Sequence, residues 1–219
     1  MASHCDLVLP CKDEAPALPA LLAALPPGFA AIVVDNDSAD ETAAVADRLG
    51  ARVVFERQAG YGAAVHAGLT AATAEYVAVI DGDGSLDPTE LPPLLEAVRS
   101  GQATMAVGRR RPMSAGAWTW HARAGNSAVS WWLRRRTGLE VHDIAPVRVC
   151  RRTDLLRLGV KDRRFGYPVE LLIRARRAGW VVREYDVSYR PRAEGTRSKV
   201  SGSVSGSLRT IRDFARALS

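Results

Sequence analysis

The stretch that most constrains the fold of this chain runs from Tyr76 to Pro88, Y-V-A-V-I-D-G-D-G-S-L-D-P. Tyr76, Val77, Ala78, Val79 and Ile80 are apolar without alternation, the pattern of a short strand buried on both faces. Such a strand needs neighbours in a sheet and helices above and below it. It runs straight into Asp81, Gly82, Asp83 and Gly84, two carboxylates one residue apart on a loop loosened by glycine. A pair of this kind can converge on a hard divalent cation, or on a ribose or phosphate group. Asp87, Pro88 and Glu90 then read as an N-cap, a proline at the first helical position and a first-turn acid. The acidic pair is therefore expected at the carboxyl end of a central strand, where open α/β sheets bind ligands. D-x-D alone is weak evidence, because Asp and Gly fill turns for backbone reasons.

The rest of the chain supplies the sheet. Strands are expected over residues 5–9, 31–34, 52–55 and 103–107. Helices are expected between them over 17–25, 38–49, 60–73 and 88–99, the second opened by a Ser38/Glu41 capping box. Strands alternating with single helices imply a parallel, three-layer α/β sheet. A Rossmann dinucleotide site is not supported: Pro10-Cys11-Lys12-Asp13-Glu14 follows the first strand, and Gly60-Tyr61-Gly62 has Val65 where a third glycine belongs. No Walker lysine motif occurs.

After Val107 the rhythm changes. Gly108-Arg109-Arg110-Arg111-Pro112 reads as a basic turn, and a helix-like stretch carrying Trp118, Trp120, Trp131 and Trp132 ends in Arg134-Arg135-Arg136 and Gly138. A short strand near 147–150, helices over 154–158 and 170–178 and a last strand over 180–187 follow. A basic loop over 189–201 leads to an apolar helical stripe, Val204, Leu208, Ile211, Ala215 and Leu218.

Charge divides the chain. Residues 1–100 hold 5 Lys+Arg against 15 Asp+Glu, whereas residues 101–219 hold 25 against 9. An acidic half that can hold a metal, facing a basic half that can hold phosphate, suits a metal–diphosphate substrate. No apolar run approaches the roughly 20 residues of a membrane span. The start of the chain lacks the pattern of a signal peptide, and Cys5, Cys11 and Cys150 have no metal spacing. These features lead to the expectation of a cytoplasmic protein with reduced thiols. No recognised nucleic-acid-binding motif is present.

Together these pieces resemble family 2 glycosyltransferases of the GT-A fold, a Rossmann-like three-layer α/β/α architecture, and in particular the polyprenyl- and dolichyl-phosphate sugar synthases. Pro10-Cys11-Lys12-Asp13-Glu14 stands where that family has P-x-Y/F-N-E, and Val33-Val34-Asp35-Asn36-Asp37-Ser38 is similar to its V-V-D-D-G-S. Gly60-Tyr61-Gly62 with Gly68, Asp81-Gly82-Asp83 with Asp87-Pro88, Gly108-Arg109-Arg110, and Arg192, Gly195, Ser198 and Lys199 resemble its remaining signatures in order. Departures include Lys12 for an aromatic, Asn36 for an acid and Ser85 where relatives often carry Gln.

The resemblance implies one GT-A domain over 1–219, with a nucleotide-sugar-binding half (1–108) and an acceptor-binding half (109–219). It implies donor contacts from Pro10, Glu14, Asp35, Asn36, Gly62, Asp81 and Gly82, and a Mg²⁺ or Mn²⁺ ion held by Asp83 with Asp81. Arg110, Arg192 and Lys199 are expected on the diphosphate, and Asp143 as general base of an inverting transfer. The donor is then a nucleoside-diphosphate sugar. A polyprenyl phosphate is the acceptor the resemblance suggests, and the tryptophan- and arginine-rich segment suggests peripheral membrane contact. The alternative is a catalytically inactive GT-A module that binds an anionic partner through its basic half. The Asp81/Asp83 pair and Lys199 argue against it.

Overall fold

The computed structural model describes residues 4–114 and 116–196. Its strands are β1 (Cys5–Cys11), β2 (Phe29–Asp35), β3 (Arg52–Phe55), β4 (Tyr76–Val79), β5 (Met105–Pro112), β6 (Val147–Arg151) and β7 (Val182–Tyr189). Its helices are α1 (Leu18–Ala23), α2 (Thr42–Arg48), α3 (Tyr61–Ala71), α4 (Leu91–Arg99), α5 (Trp120–Thr137), α6 (Arg152–Arg157) and α7 (Tyr167–Arg177). The strands form one sheet in the order β3-β2-β1-β4-β6-β5-β7. β4 is buried throughout and lies at its centre, as its unbroken apolar run requires.

Successive residues of β1 feed opposite faces. Val8 packs with α3, α6 and α7 through Leu69, Leu155 and Val169. Leu7 and Leu9 pack with α1, α2 and α4 through Leu18, Ala46 and Leu94. Two apolar layers therefore sandwich the sheet, giving the three-layer α/β architecture.

The sheet is mixed, not wholly parallel. β1 pairs in parallel with β2 and β4, and β5 with β7, but β6 runs antiparallel to both β4 and β5. The chain leaves β5 at the carboxyl edge and re-enters the sheet there, with Val147 opposite Gly108, so β6 can only run backwards. The expected basic turn at 108–112 is likewise strand. Gly108 through Pro112 stay in register with Tyr185 through Tyr189 of β7, which supplies the partner that makes this segment extended. The Ser38/Glu41 capping box does not form. Ser38 Oγ instead accepts from the Asp13 N–H (3.0 Å), and Asp40 Oδ1 accepts from the Thr42 N–H (2.9 Å) at the start of α2. Trp118 precedes α5 and is not part of it. Lys199, Ser198 and the 204–218 stripe lie outside the described residues.

The start of α3 is closed by protein. The Gly62 and Ala63 N–H groups donate to the Arg164 and Arg163 carbonyls (3.1 and 2.9 Å), satisfying donors a helix N-terminus leaves open. That 161–164 loop is held in turn by Glu170, which accepts from the Lys161 and Asp162 N–H groups and pairs with Arg174. A Cβ on Gly62 would lie 2.5 Å from the Asp162 carbonyl oxygen. Gly62→Ala is expected to destabilise the fold by about 1–3 kcal/mol. Gly125→Ala, on an open part of α5 where a Cβ meets nothing within 4 Å, should stabilise it by a few tenths up to about 1 kcal/mol. Urea unfolding of the two variants beside the parent checks both signs.

Candidate active site

The parallel strands β1, β2 and β4 end side by side at one edge of the sheet, with Cys11 opposite Asp35 and Val8 opposite Val79. β2 and β4 lie on opposite sides of β1, so this edge opens at the point where the chain reverses its direction of winding. Cys11, buried there, has its thiol held protonated well above its ordinary range, first by burial and then by Glu14, Asp35, Asp83 and Asp81. Four acids separated by up to 69 positions in sequence thus lie close enough to act on one thiol.

The loop from β2 is tied down by its own side chains. Asp35 Oδ1 accepts from the Ser38 N–H (2.9 Å). Asn36 donates from Nδ2 to the Glu56 and Gln58 carbonyls (both 2.8 Å) and accepts at Oδ1 from the Gly60 N–H (2.9 Å). An amide has both a donor and an acceptor to offer the 56–60 backbone, which a carboxylate at this position lacks. Lys12 donates to the Asp37 carbonyl (2.6 Å), bracing the same loop. Pro10 extends β1 beside Val34, and the Glu14 N–H donates to Thr42 Oγ1 (2.9 Å).

Asp81 and Asp83 follow β4. Gly82 between them packs so closely on Cys11 that no side chain fits there. Asp83 is 2% exposed, and its Oδ1 accepts from both the Ser85 N–H (2.9 Å) and Ser85 Oγ (2.6 Å). Its Oδ2 lies 2.7 Å from Arg192 Nη1. Burial and the neighbouring Asp83 charge push the Asp81 carboxyl up, while Arg192, Arg148 and Arg110 pull it back.

The basic half supplies those cations. Arg110, near the end of β5, binds Asp143 through Nε (2.8 Å) and Nη2 (2.7 Å), and its own N–H donates to the same carboxylate (3.0 Å). Asp143 is 1% exposed and also accepts from the Ile144 N–H. The Arg110 guanidinium lies over the Trp118 ring at 4.0 Å and near that of Tyr189 at 5.3 Å. Burial works against the Arg110 charge, but Asp143 outweighs it and holds the guanidinium above its ordinary range.

Arg148 is a residue the sequence reading passed over. It sits in β6 between Val79 and Val107, 1% exposed. Nε donates to the Ala145 carbonyl (2.6 Å), Nη2 donates to the Tyr61 hydroxyl, and Nη1 is buried without a hydrogen-bond partner. A lone arginine inside the apolar strand Val147-Arg148-Val149-Cys150 was the signal for it. Tyr61 joins the site through Arg148, Tyr189 through Arg110 and Ser85 through Asp83, and of the three the spacing of Tyr189 gives no signal.

Residues 6–152 match the family model described as Glycosyl transferase family 2. The chain belongs to this glycosyltransferase family. It is 57% identical over 213 residues to an uncharacterized glycosyltransferase of Mycobacterium tuberculosis, covering 97% of each chain. It is 32% identical over 216 residues to the polyprenol monophosphomannose synthase of Mycolicibacterium smegmatis, covering 90% of this chain and 81% of that protein. Its fold superposes with TM-score 0.76 on glucosyl-3-phosphoglycerate synthase from M. tuberculosis, solved with Mn²⁺, UDP and glucosyl-3-phosphoglycerate, at 21% identity and covering 98% and 80% of the two chains. The mixed seven-stranded sheet is thus the GT-A glycosyltransferase fold.

In this family 2 member, Glu14, Asp35, Asp81, Asp83 and Arg192 come together at one edge, with Arg110 and Asp143 locked to each other beside them. Gly62 packs closely on the 162–164 backbone, to which its N–H donates. The Arg110–Asp143 pair is buried and bidentate. Asp143→Asn is expected to cost about 3–5 kcal/mol, because it strands a buried guanidinium. The double variant Asp143→Asn/Arg110→Met should recover much of that loss. Denaturant unfolding of the double-mutant cycle checks the coupling, and an unaltered Asp143→Asn would show the pair to be incidental.

Proposed function

We propose that this family 2 glycosyltransferase moves a sugar from a nucleoside-diphosphate donor to a polyprenyl phosphate, with inversion and with a divalent cation. The observation that carries the reading is the meeting of Asp81 and Asp83 with Arg192 at the carboxyl edge of β4. Ser85 holds Oδ1 of Asp83, Oδ2 lies beside Arg192, and Asp81 stands near enough to feel the Asp83 charge. This oxygen chemistry fits Mg²⁺ or Mn²⁺. Among the described residues there is no group of three or more His, Cys, Asp or Glu able to hold a metal. Asp81 and Asp83 would hold such a cation and leave room on it for diphosphate oxygens and water. The chemistry such an ion supplies is neutralisation of the departing diphosphate.

Asp35 and Glu14 border the place for ribose and base, where carboxylates accept from hydroxyl or ring N–H groups. Arg192 supplies positive charge where the sugar–phosphate bond breaks, and Lys199 is assigned to the same task by its sequence motif. Asp143 bears on the acceptor. A hydroxyl acceptor needs a base to take its proton, and the carboxylate assigned to that work has both oxygens engaged by Arg110. A phosphate acceptor is already ionised at neutral pH and needs none. The Arg110–Asp143 clamp thus favours a phosphate acceptor, in keeping with the polyprenol-phosphate chemistry named for the Mycolicibacterium smegmatis relative.

A lipid phosphate requires contact with a bilayer. No helix among the described residues is long and apolar enough to cross one. α5 offers a different kind of contact. Trp120 and Trp131 are 80% and 53% exposed. Arg135 lies over Trp131 at 5.2 Å and Arg136 over Trp132 at 5.6 Å. No Asp or Glu occurs between Met105 and Leu139, so α5 itself carries no charge that an anionic leaflet would repel. Exposed aromatics flanked by arginines suit the headgroup region, where each basic residue contributes about 1 kcal/mol.

Two measurements test the reading. Donor hydrolysis and transfer should require Mg²⁺ or Mn²⁺, and Asp83→Asn should lower transfer by about 10²-fold or more without unfolding the protein. Full turnover in excess chelator would refute it. The protein should also co-sediment with anionic vesicles in a salt-sensitive manner, and Arg135→Glu/Arg136→Glu should release it. Arg134 is left in place because it holds the Val141 carbonyl. A wild-type protein that stays in the supernatant at low salt would direct the search to soluble phosphate acceptors.

A further inference from the structure

The Asp83 carboxylate is unevenly committed. Oδ1 holds two well-formed hydrogen bonds, from the Ser85 N–H and hydroxyl. Oδ2 is buried, and its partner is the Arg192 guanidinium, 2.7 Å away through Nη1 but not aligned as a hydrogen bond. A close pair with poor alignment holds mainly by charge, and charge is what a divalent cation replaces.

The backbone that carries Arg192 is pinned on either side of it. The Arg190 N–H donates to the Ser85 carbonyl (2.9 Å) and the Ala193 N–H to the Asp83 carbonyl (3.1 Å). Arg190 Nη2 pairs with Asp87 Oδ2 (2.8 Å), and Leu86 bridges to Tyr189. Gly195, at φ +88°, turns the chain against Pro16. The main chain is therefore laid along the 83–87 loop, and the Arg192 side chain remains the part able to swing. Asp81 and Glu14 also act on that guanidinium, which is partly exposed.

We infer that Arg192 occupies, in the metal-free protein, the place on Asp83 that a divalent cation takes, and that it yields this place only when a diphosphate arrives to receive its guanidinium. The inference rests on the reading of Asp83 as the metal-holding carboxylate and adds an order of events to it. A cation and a guanidinium cannot share one carboxylate oxygen without strong like-charge repulsion at close range. The cation alone would take Asp83 from Arg192 and leave the guanidinium beside an added divalent charge. A diphosphate offers both a bidentate acceptor for the guanidinium and the oxygens the cation lacks. Cation and nucleotide therefore bind as a pair. By reciprocity each raises the affinity of the other by the same factor.

The test is a binding measurement, independent of turnover: Mn²⁺ affinity by electron paramagnetic resonance, with and without UDP or GDP. The wild-type protein should hold Mn²⁺ weakly alone and about tenfold or more tightly with the nucleotide it accepts. Arg192→Gln should bind Mn²⁺ alone about tenfold more tightly than wild type and lose most of the enhancement by nucleotide. Arg192→Lys, which keeps a cation in place, should stay weak, and its behaviour guards against a change caused by misfolding of the loop. Arg190→Gln, which frees Asp87 and not Asp83, should leave Mn²⁺ binding unchanged. If Arg192→Gln binds Mn²⁺ alone no better than wild type while Asp83→Asn loses the Mn²⁺–nucleotide complex, the exchange is wrong and the metal assignment survives. If Asp83→Asn keeps that complex intact, the metal assignment falls and the exchange falls with it.

Discussion

Negative charge gathered at the end of three parallel strands is the constraint on which the rest of this structure depends. Burial and the neighbouring Asp83 make ionised Asp81 unfavourable, and Arg192, Arg148 and Arg110 offset that cost. Those three arginines come from the loop after β7, from β6 and from β5, so the second half of the chain is needed to make the site of the first half tenable. The excess of acid before residue 100 and of base after it is the trace of this arrangement in the sequence.

β6 shows how the fold delivers that charge. A strand entering backwards between β4 and β5 brings Arg148 from the carboxyl edge into the middle of the sheet, opposite Val79. The guanidinium lies near the rings of Tyr61 and Tyr167, at 5.4 and 5.8 Å. Tyr61 opens α3, whose first N–H groups are already bonded to the 163–164 carbonyls. Its phenol is held protonated, pushed up to about 12, chiefly by burial, with Arg148 working the other way. A hydroxyl that accepts from Arg148 keeps its own proton to donate.

Aromatic residues divide between two tasks that their spacing does not distinguish. Trp118 packs its face on Arg110 and meets Tyr189 edge to face, stiffening the clamp on Asp143. Trp120, two residues later, is directed to solvent. The difference arises because α5 begins between them: Trp118 is still on the chain leaving β5, while Trp120 falls on the helix face turned from the sheet.

The sequence by itself determined the layered α/β plan and the location of the site. Unbroken apolar runs such as 76–80 can be satisfied only between two layers, and acids placed directly after strands must emerge at the strand ends. Pairing and partnership were decided by the tertiary structure. Strand direction at 147–151, the extension of β5 through the arginines at 109–111 and the failure of the Ser38 cap each depend on a partner far away in sequence, which local pattern does not encode. The same holds for the charged residues. Arg110, Asp143 and Arg192 read from the sequence as free groups waiting for substrate, yet in the folded chain each already has an opposite charge within 2.7 Å, because a buried ion that lacks its ligand must find another partner.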